Sequence, residues 1–130
     1  MLDRIRVLIV EDDTAMAQMC AKLLRRRGHS AVIAGSPHDA IRLLREGADI
    51  DVVISDIQMP QMDGIQLMAR LRAIDETLPI ILMTGYAHLI NPSQVIALGA
   101  ADYLMKPFEP DTLLISLDRA TRLRHNLTHK

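Results

Sequence analysis

Val52-Val53-Ile54-Ser55-Asp56-Ile57-Gln58-Met59-Pro60-Gln61-Met62-Asp63-Gly64 is the stretch on which the reading of this chain turns. Three β-prone apolar residues run into a lone carboxylate, Asp56; the chain then breaks at Met59-Pro60 and restarts at Asp63-Gly64. An apolar, β-branched run bounded by turn residues reads as a strand, and Asp56 stands at its exit. In α/β proteins a strand exit opens onto the crevice above the carboxyl edge of the sheet, where ligands bind.

Working outward, the same pattern recurs. Ile5 to Val10 is a continuous apolar run apart from Arg6, as expected of a strand covered on both faces, and it ends in Glu11-Asp12-Asp13. Thr14 can cap a helix whose apolar positions 16, 19, 20, 23 and 24 follow the spacing of one helical face. Arg25, Arg26 and Arg27 close it before Gly28, where cations suit the negative end of the helix dipole better than they suit a nucleic-acid patch. Ser30 to Ala34 is a second strand, and Ser36-Pro37 opens a second helix that carries Ala40, Ile41 and Leu44 inward and stops at Gly47.

Residues 51–55 form the strand that delivers Asp56, and Asp63 or Gly64 opens a third helix with Leu67, Met68, Leu71 and Ile74 on one face. Ile80 to Met83 is a fourth strand ending in Thr84-Gly85; residues 86–90 read as a loop, and Asn91-Pro92 begins a short helix that ends at Gly99. Ala101 to Met105 is a fifth strand ending in Lys106-Pro107, and Pro110-Asp111 begins a last helix with Leu113, Leu114, Leu117 and Ala120 as its buried stripe. The domain so read covers residues 1–123, and residues 124–130 form a basic, polar tail expected to fray. Strands alternating with helices predict a parallel sheet with helices on both faces.

Composition narrows the functions open to it. The 130 residues suit one domain; 49% are hydrophobic, 24% are charged and the net charge is −1, which argues against disorder and gives no general attraction to nucleic acid or membrane. No apolar run approaches the roughly 20 residues that span a bilayer, so a cytoplasmic domain without membrane contact is expected. Cys20 is the only cysteine, which excludes an intramolecular disulfide and fits a buried thiol. With aromatic residues at 2% there is no stacking platform for single-stranded nucleic acid, and the five histidines are too scattered for a transition-metal site.

The polar residues at strand ends are what remain: Glu11 and Asp12 after the first strand, Asp56 after the third, Thr84 after the fourth and Lys106 after the fifth. In a doubly wound sheet of order 2-1-3-4-5 the first and third strands are neighbours, so their carboxylates meet in one crevice. Carboxylates about 5 Å apart repel by roughly 3 kcal/mol per pair at an effective dielectric constant of 20. Hard oxygen donors of this kind suit Mg²⁺ (or Mn²⁺), which commonly completes its shell with a phosphate oxygen. Lys106 offers a point charge and Thr84 a hydroxyl to phosphoryl oxygens, and Asp56 is the candidate nucleophile. Singly, each residue has a plainer reading as loop acid, solvated cation or turn hydroxyl; at four strand ends together the shared-site reading is the stronger.

At this point the sequence resembles the receiver domain of bacterial two-component response regulators, including the chemotaxis-regulator type. Four motifs carry the likeness: Val-Leu-Ile-Val-Glu-Asp-Asp, Ile-Ser-Asp-Ile-Gln-Met-Pro-Gln-Met-Asp-Gly, Ile-Leu-Met-Thr-Gly and Ala-Asp-Tyr-Leu-Met-Lys-Pro-Phe. The resemblance spans residues 5–123 and implies a flavodoxin-like, three-layer αβα fold. It further implies that Asp56 accepts a phosphoryl group from a sensor histidine kinase or histidine phosphotransfer protein. It selects Glu11, Asp12, Asp56 and the backbone carbonyl of Gln58 as the metal shell, leaving Asp13 to start the helix. Thr84 and Tyr103 resemble the family's switch pair, although an aromatic residue in a central strand is also ordinary packing; Lys106-Pro107 resembles its cis-peptide junction.

Such a domain catalyses only its own phosphorylation and dephosphorylation, passes the signal to an effector the residues do not name, and stays monomeric or pairs weakly through the face of the fourth helix, fifth strand and fifth helix. Gln58 and Tyr86 flank the reactive aspartate and are placed to shield or steer water. Two other readings fit parts of the pattern: a Mg²⁺-dependent phosphohydrolase with a nucleophilic aspartate, for which 130 residues leave no substrate cap, and a receiver-like interaction module that no longer accepts phosphate.

Overall fold

The computed structural model describes residues 4–85 and 91–128. Its elements run β1 (Arg6–Val10), α1 (Thr14–Arg26), β2 (Ser30–Ala34), α2 (Pro37–Arg45), β3 (Val52–Asp56), α3 (Gly64–Ile74), β4 (Ile80–Thr84), α4 (Pro92–Ala97), β5 (Asp102–Met105) and α5 (Pro110–Thr128). The five strands form one sheet in the order β2-β1-β3-β4-β5, and every pairing is parallel. The doubly wound order expected from the sequence is the one observed. The loop expected at residues 86–90 lies outside the described residues.

Strand periodicity divides the core in two. Successive side chains of a strand point to opposite faces. Leu8, Val10, Val53, Ile80 and Leu82 therefore pack with Ala40, Ile41, Leu67, Leu71 and Val95 from α2, α3 and α4. On the other face Val7, Ile9, Val52, Ile54, Ile81 and Met83 pack with Ala17, Cys20, Leu24, Leu113 and Leu117 from α1 and α5. Both faces of β3 and β4 are buried throughout, which is why these strands read as unbroken apolar runs.

Several local expectations are corrected. The cap of α1 is Asp13, whose side chain accepts from the Met16 N–H at 3.2 Å, and Thr14 is the first helical residue. The buried face of α1 is Ala17, Cys20, Ala21 and Leu24, while Met19 is 58% exposed. The two alanines bring the helix close to the sheet, so the bulkier Met19 falls on the rim. Ile74 is likewise exposed at the end of α3, beyond the reach of the sheet.

The last helix runs to Thr128, taking in the start of the stretch read from the sequence as a tail. Arg124 holds it there: its guanidinium donates to the Ile50 carbonyl at 3.2 Å and to Asp75 Oδ2 at 2.8 Å.

Candidate phosphoacceptor site

Strand register is what assembles the site. Val10 pairs with Ser55, Asp56 with Met83, and Thr84 with Met105. Glu11 and Asp56 therefore each stand one residue past a paired neighbour, and the Lys106 N–H continues the ladder by donating to the Thr84 carbonyl at 2.8 Å. Four side chains from four strand ends thus face one crevice.

Asp56 is 6% exposed and Glu11 2%, although both are acids. Burial of a charge is tolerated only when it is paired, and Lys106 is the partner of both. Its Nζ donates to Glu11 Oε2 at 2.7 Å and to Asp56 Oδ2 at 3.0 Å. The remaining oxygens are occupied too: Glu11 Oε1 accepts from the Asp13 N–H at 3.1 Å, and Asp56 Oδ1 accepts from the Gln58 N–H at 3.3 Å. Asp13 therefore starts the helix and braces Glu11, standing outside the acid cluster. Burial pushes the Glu11 carboxyl above its usual range, against the pull of Lys106 and the Asp13 N–H. For Lys106, burial acts to lower the ammonium's value, and Glu11 and Asp56 together overcome it and raise it.

Ligand atoms of Glu11, Asp12 and Asp56 all lie within 4.8 Å of one another. At that spacing each ionised pair repels by about 3.5 kcal/mol at an effective dielectric constant of 20. Three carboxylates against one ammonium leave two negative charges, which is the charge of one divalent cation. An all-oxygen donor set of mixed exposure, with Asp12 in solvent, suits a metal that keeps several waters. The residues present therefore fit Mg²⁺.

Thr84 is fully buried at the end of β4, and its hydroxyl donates to Gln58 Oε1. Tyr103 lies on β5 beside a groove of about 420 Å³ that Pro92, Ser93, Ile96 and Asp102 also line. Its ring packs against the α2–α4 core, and its hydroxyl is buried without a hydrogen-bond partner among the described residues; burial raises the phenol above its ordinary value. The Lys106–Pro107 peptide is cis. Tyr86 lies outside the described residues.

Three features were not anticipated from the sequence. The Thr84–Gln58 contact spans 26 positions, and no local pattern announces it. Gln61 adopts φ 75, with the Met62 N–H donating to the Pro60 carbonyl across it at 2.9 Å; this three-residue turn is rare for a residue with a side chain. Gly64 is the third: a Cβ there would stand 2.5 Å from the Asp56 carbonyl oxygen. The Asp63-Gly64 pair held that signal, since a glycine at a helix start also permits close backbone approach.

Fold and site together define a doubly wound α/β domain built around a lysine-bridged acid cluster at the switch point of its sheet. Comparison with known proteins gives that class its family. The family model described as the response regulator receiver domain matches residues 7–118, and the chain belongs to that family of two-component phosphoacceptor signalling domains. It is 32% identical over 125 residues to the transcriptional regulatory protein ZraR of Escherichia coli K12, covering 96% of this chain and 28% of that one. It is 41% identical over 109 residues to the response regulator protein FleR of Pseudomonas aeruginosa, covering 84% of this chain and 23% of the relative. The chain thus spans about a quarter of the length of these relatives. A crystal structure of a response regulator receiver domain protein from Clostridium thermocellum superposes with a TM-score of 0.87 at 28% identity, covering 95% of this chain and 98% of that one. Among the described residues no helix is long and apolar enough to cross a membrane.

Proposed function

We propose that Asp56 accepts a phosphoryl group from a phosphohistidine of a sensor histidine kinase or histidine phosphotransfer protein. A carboxylate oxygen of Asp56 attacks phosphorus, the N–P bond of the donor breaks, and the imidazole leaves and recovers a proton. Hydrolysis later returns the carboxylate and inorganic phosphate, so the domain catalyses only its own modification and release. Glu11, Asp12, Asp56 and the Gln58 backbone carbonyl would hold Mg²⁺ or Mn²⁺, which when bound neutralises charge on the transferring group. Lys106 then supplies a cation to the phosphoryl oxygens and Thr84 a hydroxyl, while Tyr103 fills the space that the Thr84 movement opens. Lys106 bridging two strand-end carboxylates is the observation that carries this reading.

The receiver unit would comprise residues 1–123 with residues 124–130 as its C-terminal tail, Arg124 at the start of the tail still contacting the unit. A cytoplasmic setting follows from the phosphohistidine donor. The effector receives the signal through the face of α4, β5 and α5, where Ile96, Met105 and Ile115 are exposed apolar residues; weak self-pairing would use the same face. Neither nucleic acid nor membrane is a partner of this domain. Incubation with acetyl phosphate and Mg²⁺ followed by intact-mass measurement tests the assignment. One phosphoryl adduct is expected in the native chain and none in Asp56→Asn; an adduct that survives the substitution overturns it. Repeated turnover of unrelated phosphate esters would identify a phosphohydrolase instead.

A further inference from the structure

The transfer proposed for Asp56 makes no use of the Gln58 side chain, yet that side chain accepts a hydrogen bond from Thr84, the hydroxyl assigned to the phosphoryl oxygens. Thr84 Oγ1 donates to Gln58 Oε1, while the Gln58 N–H is bonded to Asp56 Oδ1 at 3.3 Å. One residue therefore touches the phosphoacceptor through its backbone and the switch hydroxyl through its side chain. A hydroxyl has a single proton to donate, and while that proton points at Gln58 Oε1 it is not available to an oxygen on Asp56.

We infer that Gln58 is a positioning residue that latches Thr84 in the unphosphorylated domain, so that its side chain sets how much of the domain is ready to hold a phosphoryl group. The inference rests on Asp56 being the phosphoacceptor. A purely architectural role is weakly supported, because the loop from 57 to 63 is already anchored at both ends. The Ile57 N–H donates to the Met83 carbonyl at 2.9 Å and the Gly64 N–H to the Ile57 carbonyl at 2.9 Å, and Asp63 and Gln66 form a reciprocal capping box. Thr84 is fully buried, whereas Gln58 is half-buried. On release the amide can turn to water and the hydroxyl toward Asp56.

A ligand that needs the released hydroxyl binds with its intrinsic affinity multiplied by the fraction of domain in the released state. Removing one neutral hydrogen bond that opposes release should raise that affinity about three- to tenfold. Side-chain length is part of the device: asparagine withdraws the amide by one carbon–carbon bond, about 1.5 Å, and should not reach Thr84.

The test is calorimetric titration of the 130-residue chain with beryllium fluoride in Mg²⁺, a mimic of a phosphoryl group on a carboxylate. Gln58→Met keeps the length of the side chain without an acceptor, and Gln58→Asn keeps an amide without the reach. Both should bind about three- to tenfold more tightly than the native chain. In a Thr84→Val background neither should change the affinity, since the hydroxyl through which Gln58 acts is gone. Equal tightening in the Thr84→Val background, or no tightening with Thr84 present, overturns the latch. Without beryllium fluoride or Mg²⁺, the Thr84 methyl resonance should shift in both Gln58 variants, and an unmoved resonance also overturns it. A native chain that binds Mg²⁺ but no beryllium fluoride would bring down the phosphoacceptor reading itself, and the latch with it; native binding that both Gln58 variants leave unchanged brings down the latch alone.

Discussion

Lys106 and Glu11 stand 95 positions apart in the chain and meet at 2.7 Å. The same ammonium reaches Asp56 Oδ2 at 3.0 Å, so one cation at the end of β5 holds acids from β1 and β3. Three strand ends are tied through a single Nζ, and the one ammonium offsets only part of the charge of the Glu11, Asp12 and Asp56 cluster.

Lys106→Met should therefore separate two roles. Two unit charges about 4 Å apart interact by about 1 kcal/mol even in bulk water. Removing the ammonium should raise Mg²⁺ affinity by about fivefold or more, measured by calorimetry. Phosphoryl labelling from acetyl phosphate should fall at the same time. Weaker Mg²⁺ binding would mean that Lys106 shapes the acid cluster and does not compete with the metal.

Gly64→Ala should damage the site without touching its chemistry. The added Cβ would meet the Asp56 carbonyl oxygen at 2.5 Å and the Ile57 Cα at 3.0 Å. Both are backbone atoms at the Asp56–Ile57 junction, so α3 must move or β3 must bend. A loss of about 1–3 kcal/mol in urea unfolding is expected, the usual cost of overpacking, together with slower labelling of Asp56. A variant with native stability would show that α3 slides freely on β3.

Tyr103→Phe should leave the resting domain as stable as the native one, or more stable by up to about 2 kcal/mol. The Tyr103 hydroxyl is buried without a partner among the described residues, and a buried donor left unpaired costs free energy that phenylalanine does not. Urea unfolding measures the difference. Destabilisation beyond about 1 kcal/mol would reveal a partner for the hydroxyl.

His29 should make the domain sensitive to mild acid. It is buried, and its Nδ1 accepts the Ile5 N–H at 3.2 Å at the entrance to β1, which only the neutral ring can do. Burial lowers its folded value below the ordinary 6.5. Between that lowered value and about 6.5 the unfolded chain binds a proton that the folded chain refuses. The contribution is thus fully present above about pH 6.5 and is lost as pH falls through the folded value. Stability measured by urea unfolding should drop between pH 7.5 and 5.5, and His29→Gln, which keeps an acceptor but cannot titrate, should flatten that slope. An identical slope in the variant would assign the loss to other groups.

Much of the fold was legible because each strand and helix carries its own signal. Val52 to Ile54 and Ile80 to Met83 are apolar throughout because both faces of those strands are covered, and Ser36-Pro37 and Asp63-Gly64 punctuate helix starts with their own capping chemistry. Less legible was which way α1 faces. Counting large apolar residues puts Met19 inward, whereas the alanines at 17 and 21 decide how closely the helix can approach the sheet. The end of α5 was less legible for a related reason. Arg124 looks like part of a solvated basic tail until the Ile50 carbonyl and Asp75, remote in sequence, are seen beside it.

By itself the sequence determined the alternation of strands and helices and the acids, hydroxyl and lysine at four strand ends, and their chemistry raised the expectation of a site for a divalent cation and a phosphoryl group. Only the tertiary structure decided which oxygen meets which cation. Lys106 bridges Glu11 and Asp56, Asp13 braces Glu11 from outside the cluster, and Thr84 is given to Gln58. The physical reason is that strand chemistry is local, written in consecutive residues. Pairing across a crevice depends on register and burial between segments tens of residues apart, and a one-residue slip of a single strand would undo it.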